Sequence, residues 1–201
     1  LARDALEVMS RNGVEVRVQE GLSCCGMPAW EQGDIATLRR QASANIARLM
    51  PHLQAGSKVL ALSPTCAMLM RREYPELVSS QDRTAARKLS ERVTEPMEFL
   101  WAIRDQPRFA GSTASTPSGG VACHAACHLR VQKTGFRARD LFRRIFGTAP
   151  VMVSECCGHD GTHAMKAESH DAAIRAGRKA FEAVSGAKAG ICVSDCPLAA
   201  G

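Results

Sequence analysis

Aromatic side chains are scarce in this chain, at one tyrosine, two tryptophans and six phenylalanines among 201 residues. So few rings leave no stacking platform for nucleic-acid bases. The basic residues, scattered or paired as in Arg39-Arg40, Arg71-Arg72 and Arg143-Arg144, lack the aromatic interleaving of a nucleic-acid surface. The net charge of +6 reads as solvated helix faces, with a patch for an acidic partner or an anionic membrane surface as the other reading. No apolar run approaches the ~20 residues of a membrane span. No charged-then-apolar leader resembles a signal peptide. The P-loop, the dinucleotide fingerprint, the nucleophile elbow, the zinc-protease helix and the ferredoxin run C-x2-C-x2-C-x3-C-P are all missing. Hydrolysis and independent nucleotide chemistry therefore have no support.

What the chain does have is cysteine. Nine is an odd number, which excludes complete internal disulfide pairing. A cytosolic chain this rich in cysteine binds metal or does redox work more often than it builds disulfides. Cys-Cys-Gly occurs twice, at 24–26 and 156–158, and each copy is followed by a cysteine after a short apolar run. Cys25 and Cys66 are 41 residues apart, and Cys157 and Cys196 are 39 apart. The two halves superpose. Gly56 to Cys66 lies over Gly186 to Cys196 at a constant offset of 130.

Each copy predicts the same succession: Cys-Cys-Gly loop, helix, turn, short buried strand, cysteine at the strand's C-terminal end. The first helix presents Ile35, Leu38, Ala42, Ile46, Leu49 and Leu53 at helical spacing, and the second Ile174, Gly177, Phe181 and Val184. Asp34 and Asp171 are the expected N-caps, Gly56 and Gly186 the expected stops. Upstream, Ala2 to Leu6 resembles Ala138 to Phe142. A helix and then a strand follow in each half, at Val14–Val18 and at Val151–Val153. Connecting helices are expected over 71–103, interrupted at Pro75 and restarting around Pro96, with Phe99, Leu100 and Ile103 inward. This alternation predicts an α/β fold with mainly parallel strands in two pseudo-symmetric repeats. The repeats cover 1–103 and 121–201, and a Ser/Thr/Pro/Gly-rich linker covers 104–120. The second repeat opens with a strand and cysteine-bearing loop over 121–130 that has no counterpart in the first. A further strand and at least one more cysteine are therefore expected upstream of residue 1.

Thiolates brought together from distant segments suit a soft metal or an iron–sulfur cluster. Cys127, Cys156, Cys157 and Cys196 follow strand-like segments of the second repeat and make a full set of four for a [4Fe-4S] cluster or a tetrahedral zinc. Cys24, Cys25 and Cys66 give three in the first repeat. Cys192, overlying Leu62, and Cys123 lie inside strands and read as core. His128, His159 and His163 are candidates to hydrogen-bond the sulfurs or carry protons beside the second site. Cys123, Cys127 and His128 form C-x3-C-H, one residue too long for haem attachment.

The stretches CCGMPAWEQGD (24–34), SPTCAMLMRREYPEL (63–77), HAACHLR (124–130), CCGHDGTHAMK (156–166) and SDCPLAAG (194–201) resemble the cysteine-rich CCG-domain family. Its members include the iron–sulfur subunits of glycolate oxidase and anaerobic glycerol-3-phosphate dehydrogenase, and the CCG-bearing subunit of heterodisulfide reductase. The resemblance implies that each Cys-Cys-Gly unit binds a metal centre, a [4Fe-4S] cluster or, at one site in some relatives, zinc. The family pattern ends in C-x2-C, whereas here Leu69 and Ala199 stand where its last cysteine would be. That departure weighs against the five-cysteine cluster of heterodisulfide reduction. The resemblance implies an electron-transfer subunit that links a flavoprotein dehydrogenase of the 2-hydroxy-acid or glycerol-3-phosphate type to a quinone. A ferredoxin-type domain would lie upstream or on another chain. The protein would be cytoplasmic or peripheral to the inner face of the membrane. A heterodisulfide or thiol–disulfide reductase subunit and a zinc-stabilised structural module are the alternatives.

Overall fold

The computed structural model describes residues 1–111, 115 and 117–199. Four residues of the expected linker (112–114 and 116) and the last two of the chain lie outside the described residues. The protein has an α/β fold in two compact units, Leu1–Pro96 and Met97–Gly201, with parallel strand pairing in each.

The first unit opens with α1 (Ala2–Arg11), followed by α2 (Met27–Glu31) and α3 (Ile35–Gln54). The expected strand over Val14–Val18 does not form. No described strand pairs with it, and Val18 remains 71% exposed, so nothing satisfies an extended backbone there. Helix α3 starts where Asp34 accepts a hydrogen bond from the Thr37 N–H at 2.9 Å, and ends before Gly56 at φ +90°. Its Leu38, Ala42, Ile46, Leu49 and Leu53 are buried. Each fully buried leucine contributes ~1.5–3 kcal/mol.

Strand β1 (Val59–Leu60) leads into α4 (Pro64–Met68), a π turn over Leu69–Glu73, α5 (Tyr74–Leu77) and α6 (Arg83–Ser90). The interruption expected at Pro75 is instead a π turn. Proline removes an N–H and clashes with the carbonyl four residues back, and the wider turn lets the helix pass it. A second strand the sequence did not announce, β2 (Val93–Thr94), pairs parallel with β1, Val59 opposite Val93. The Arg71 fork reaches the Val93 carbonyl at 3.1 and 2.8 Å and ties β2 to the π turn.

The second unit holds all but the first residue of α7 (Pro96–Ile103), whose Leu100 and Ile103 are buried. It continues through β3 (Val121–His124), α8 (Cys127–Val131), α9 (Arg137–Phe146), β4 (Val151–Val153), a 3-10 turn over His163–Met165, α10 (His170–Gly186) and β5 (Ile191–Ser194). The sheet order is β4-β3-β5, all parallel. Central β3 is buried at every residue, as a strand covered on both faces must be.

Three expectations fail in this unit. Ser169, not Asp171, precedes α10. The buried face of α10 is Ala173, Gly177 and Ala180, while Ile174 and Phe181 are 47% and 46% exposed. Small residues face inward because the backbone of the second Cys-Cys-Gly loop presses against that face. Strand β5 and its Cys192 are exposed rather than core, because β5 is an edge strand with only β3 beside it. Among the described residues, no helix is long and apolar enough to cross a membrane.

Candidate metal centre

All nine cysteines are free. In the first unit the Cys24-Cys25 loop is followed by Gly26 at φ +101°, which caps α2. A Cβ at Gly26 would lie 3.3 Å from both Leu38 Cγ and Gln41 Oε1. The loop thus rests directly on α3, in a backbone conformation suited to glycine. Its anchor is Asn45, fully buried on the core face of α3. The Asn45 side chain accepts from the Ser23 N–H at 2.8 Å. It donates to the Ser23 and Cys24 carbonyls at 3.3 and 3.2 Å, and to the Tyr74 hydroxyl at 3.3 Å. Tyr74, the sole tyrosine and fully buried, donates to the Cys25 carbonyl at 2.7 Å. One amide and one phenol therefore pin three consecutive loop residues.

Cys66 enters from the first turn of α4, and its thiol shares a hydrogen bond with that of Cys25. That bond, then burial, push the Cys25 thiol far up from its ordinary range, against the pull of the Met27 N–H and Cys24. The phenol of Tyr74 is likewise pushed up, mainly by burial. Two protonated thiols in contact, one of them 6% exposed, form a site that a cation would deprotonate on binding.

In the second unit three parallel strands end at the same edge, and each is followed by site cysteines. β3 leads to Cys127 at the start of α8, β4 to Cys156 and Cys157, and β5 to Cys196. Ligands gather at this end of parallel sheets. Burial raises the Cys127 thiol, and nearby Cys157, Cys156 and Cys196 add to the rise while the His128 N–H opposes it. The four expected residues are therefore mutual neighbours, with Cys127 and Cys156 exposed and Cys157 and Cys196 partly so.

Gly158 turns the loop at φ +79°. A Cβ there would lie 2.1 Å from the Ala173 carbonyl oxygen, and a Cβ at Gly177 would lie 2.5 Å from the Cys157 carbonyl oxygen. Loop and α10 touch backbone to backbone. His124, 6% exposed, ties the strand ends together. Its Nε2 donates to the Glu155 carbonyl at 3.0 Å, and Nδ1 lies 3.1 Å from Ser194 Oγ. Ser194 Oγ in turn accepts from the Cys196 N–H at 3.2 Å.

Neither the His159 nor the His163 ring makes a hydrogen bond among the described residues, and His163 is exposed. His128 is part-buried on α8 beside Cys127. Cys123 is buried in β3, and burial pushes its thiol up to about 12, with Asp195 and Cys192 adding to the rise. Asn45, Tyr74 and His124 are the residues sequence reasoning passed over. The signal for Asn45 was an amide on the apolar stripe between Ala42 and Leu49, and for Tyr74 its being the only tyrosine.

Among the described residues, no three or more His, Cys, Asp or Glu side chains close around one metal-ion position. A tetrahedral zinc with Zn–S of about 2.3 Å draws its sulfurs to within ~4 Å of one another. A four-iron cluster spreads its thiolates wider, one per iron.

The structure thus defines an α/β protein with a thiol cluster in each of two units, each behind a glycine-turned Cys-Cys-Gly loop. A family model described as a cysteine-rich domain, CCG, matches residues 1–71 and 121–198, and the chain belongs to that family. Over 198 residues it is 26% identical to the C subunit of anaerobic glycerol-3-phosphate dehydrogenase from Escherichia coli (strain K12), covering 98% of this chain and 48% of the relative. Over 168 residues it is 26% identical to lactate utilization protein A of Bacillus pumilus (strain SAFR-032), covering 83% of this chain and 68% of the relative. The corresponding protein of Bacillus subtilis (strain 168) is 25% identical over 168 residues. The chain spans about half the length of the glycerol-3-phosphate dehydrogenase subunits it matches.

Proposed function

We propose that the protein is an iron–sulfur electron-transfer subunit of an oxidoreductase. It would accept electrons from a flavoprotein dehydrogenase of the 2-hydroxy-acid or glycerol-3-phosphate type and pass them towards a quinone or similar acceptor. The observation that carries this reading is the pairing of two all-thiol clusters, each built behind a glycine-turned Cys-Cys-Gly loop in a family whose relatives bear dehydrogenase-subunit names. In it, Cys127, Cys156, Cys157 and Cys196 hold one centre, and Cys24, Cys25 and Cys66 hold the other with three thiolates. The repeats are 1–103 and 121–201, joined by the 104–120 linker. The protein works in the cytoplasm or at the inner membrane face. An upstream or separate ferredoxin-type domain completes the route.

The residues present fit such a group. Every donor is a thiol, the choice for iron–sulfur ligation. Gly26 and Gly158 remove side chains where the backbone must turn beside it. A cluster bound there supplies a one-electron carrier. The chain's own residues hold it in place. Asn45 and Tyr74 fix the first loop, and Gly158, Gly177 and His124 fix the second. Cys25 and Cys127 give up protons that burial and neighbouring thiols otherwise hold on, so loading strengthens as pH rises.

Anaerobic purification with iron and sulfide analysis, followed by EPR of the reduced protein, tests the proposal. Iron with matching sulfide and a reducible paramagnet are expected. Stoichiometric zinc with no iron after anaerobic handling would contradict it.

A further inference from the structure

The charge of this chain is concentrated in one place. Between residues 130 and 144 stand six cations and one acid, Asp140, so this stretch carries +5 of the chain's +6. Part of it is neutralised locally. Arg137 and Arg139 pair with Asp140 at 3.3 and 2.7 Å, and Arg144 pairs with Asp105 at 2.8 Å. Arg130 and Lys133 form no ion pair among the described residues.

A cavity of about 230 Å³ opens at these two cations, lined by Leu129, Arg130, Lys133, Gly135 and Phe136. Two polar atoms in this segment, Arg130 Nε and Thr134 Oγ1, are buried with no hydrogen-bond partner. A buried donor left unmade carries a desolvation penalty that a ligand or water removes. The backbone is bent to shape the wall. Lys133 sits at φ +57°, a conformation few non-glycine residues adopt, and Gly135 at φ +85°. The Arg137 guanidinium carbon lies 3.2 Å from where a Gly135 side chain would begin, so glycine keeps this turn closed. The Arg139 guanidinium stands 5.6 Å from the Phe136 ring centre and adds positive charge beside the apolar wall.

We propose that this cavity binds a small oxyanion, a carboxylate or phosphate group. It would be seated between the Arg130 guanidinium and the Lys133 ammonium, with the Phe136 ring against the apolar part of its carrier. A planar guanidinium matches two oxygens of either group, and a lysine ammonium adds a point charge. The site is separate from the thiol cluster yet close to it, since Arg130 follows Cys127 by three residues on α8. The oxyanion can belong to a soluble molecule or to a phospholipid headgroup, and the experiment separates these sources.

The full chain, its centres loaded, is titrated with inorganic phosphate and with acetate by calorimetry. One saturable site per chain is expected for at least one of the two. Arg130→Gln and Lys133→Gln each weaken it about tenfold or more, while Lys88→Gln on exposed α6 leaves it unchanged. The absence of a saturable site for both anions, or an equal loss in all three variants, overturns the proposal. Sedimentation with phosphatidylglycerol vesicles then identifies the source. Vesicle binding that phosphate displaces and Arg130→Gln abolishes makes it a headgroup site, and anion binding without vesicle binding makes it a soluble-ligand site. If Arg130→Gln does not fold, the wild-type amide resonances decide. Shifts that saturate with anion and stay within 129–136 uphold the site, and shifts spread over distant basic segments overturn it.

Discussion

The two Cys-Cys-Gly loops carry the same motif and are held by different physics. In the first unit a buried amide and a buried phenol hydrogen-bond to the backbone of Ser23, Cys24 and Cys25. In the second unit no side chain of α10 does this among the described residues. Instead two glycines, 158 and 177, let loop and helix backbones meet directly. The duplicated motif therefore fixes where the thiols come from but leaves open how their loop is anchored. Polar anchoring tolerates small shifts at the cost of buried groups that must all be satisfied. Backbone contact needs no polar partner but leaves no room for even one methyl.

The largest expected effect tests the second anchor. Gly177→Ala places a Cβ against the Cys157 carbonyl and the Phe181 ring, and overpacking of this kind costs about 3 kcal/mol. Thermal unfolding should fall accordingly, and the second centre should be lost while the first persists. A stable variant with both centres would break the contrast between the units.

Next comes the polar anchor. Asn45→Ala strands the Ser23 N–H and loosens the Cys24 carbonyl, at about 2 kcal/mol. Tyr74→Phe removes a single bond to Cys25 and costs about 1 kcal/mol. Denaturant titration of the two variants and the double variant should show less than additive loss, because both belong to one network. Neither should touch the second centre.

A smaller, pH-dependent effect concerns Cys123, which is core and not a site residue. Its folded pKa is raised from 9.0 to about 12. Its contribution is therefore full below pH 9.0 and is lost as pH climbs from 9.0 towards 12, where the unfolded thiol ionises first. Stability of the protein measured before loading should decline over that window, and Cys123→Ala should flatten part of the slope.

The smallest effect is at Asp34. Its bonds to Thr37 hold the exposed carboxyl below the usual range, so its contribution is present above the ordinary carboxylate pKa and is lost as pH falls through the lowered folded value. Asp34→Ala should lower the unfolding temperature slightly at neutral pH and have no effect in strong acid.

The sequence made the cysteine geometry legible because a repeat is a comparison the chain carries within itself. Superposing the halves was enough to put Cys127, Cys156, Cys157 and Cys196 together after three strand-like segments. It was not enough for α10. Periodicity counted Ile174 and Phe181 as inward, whereas the helix turns Ala173, Gly177 and Ala180 to the loop. Hydrophobicity rules see large side chains and overlook the small ones that permit close approach. Asn45, Tyr74 and His124 were missed for a related reason. They bond to main-chain atoms, which leave no mark in sequence spacing. Strand β5 looked buried because its residues are apolar, yet an edge position overrode composition.

Metal analysis of single cysteine variants tests the central claim most directly. Wild type, Cys25→Ser and Cys157→Ser are prepared anaerobically, and iron, sulfide and zinc are counted per chain. The account predicts iron and sulfide in the wild type, with each variant losing the signal of one unit and keeping that of the other. Zinc in place of iron, or both signals lost together from either variant, would contradict it.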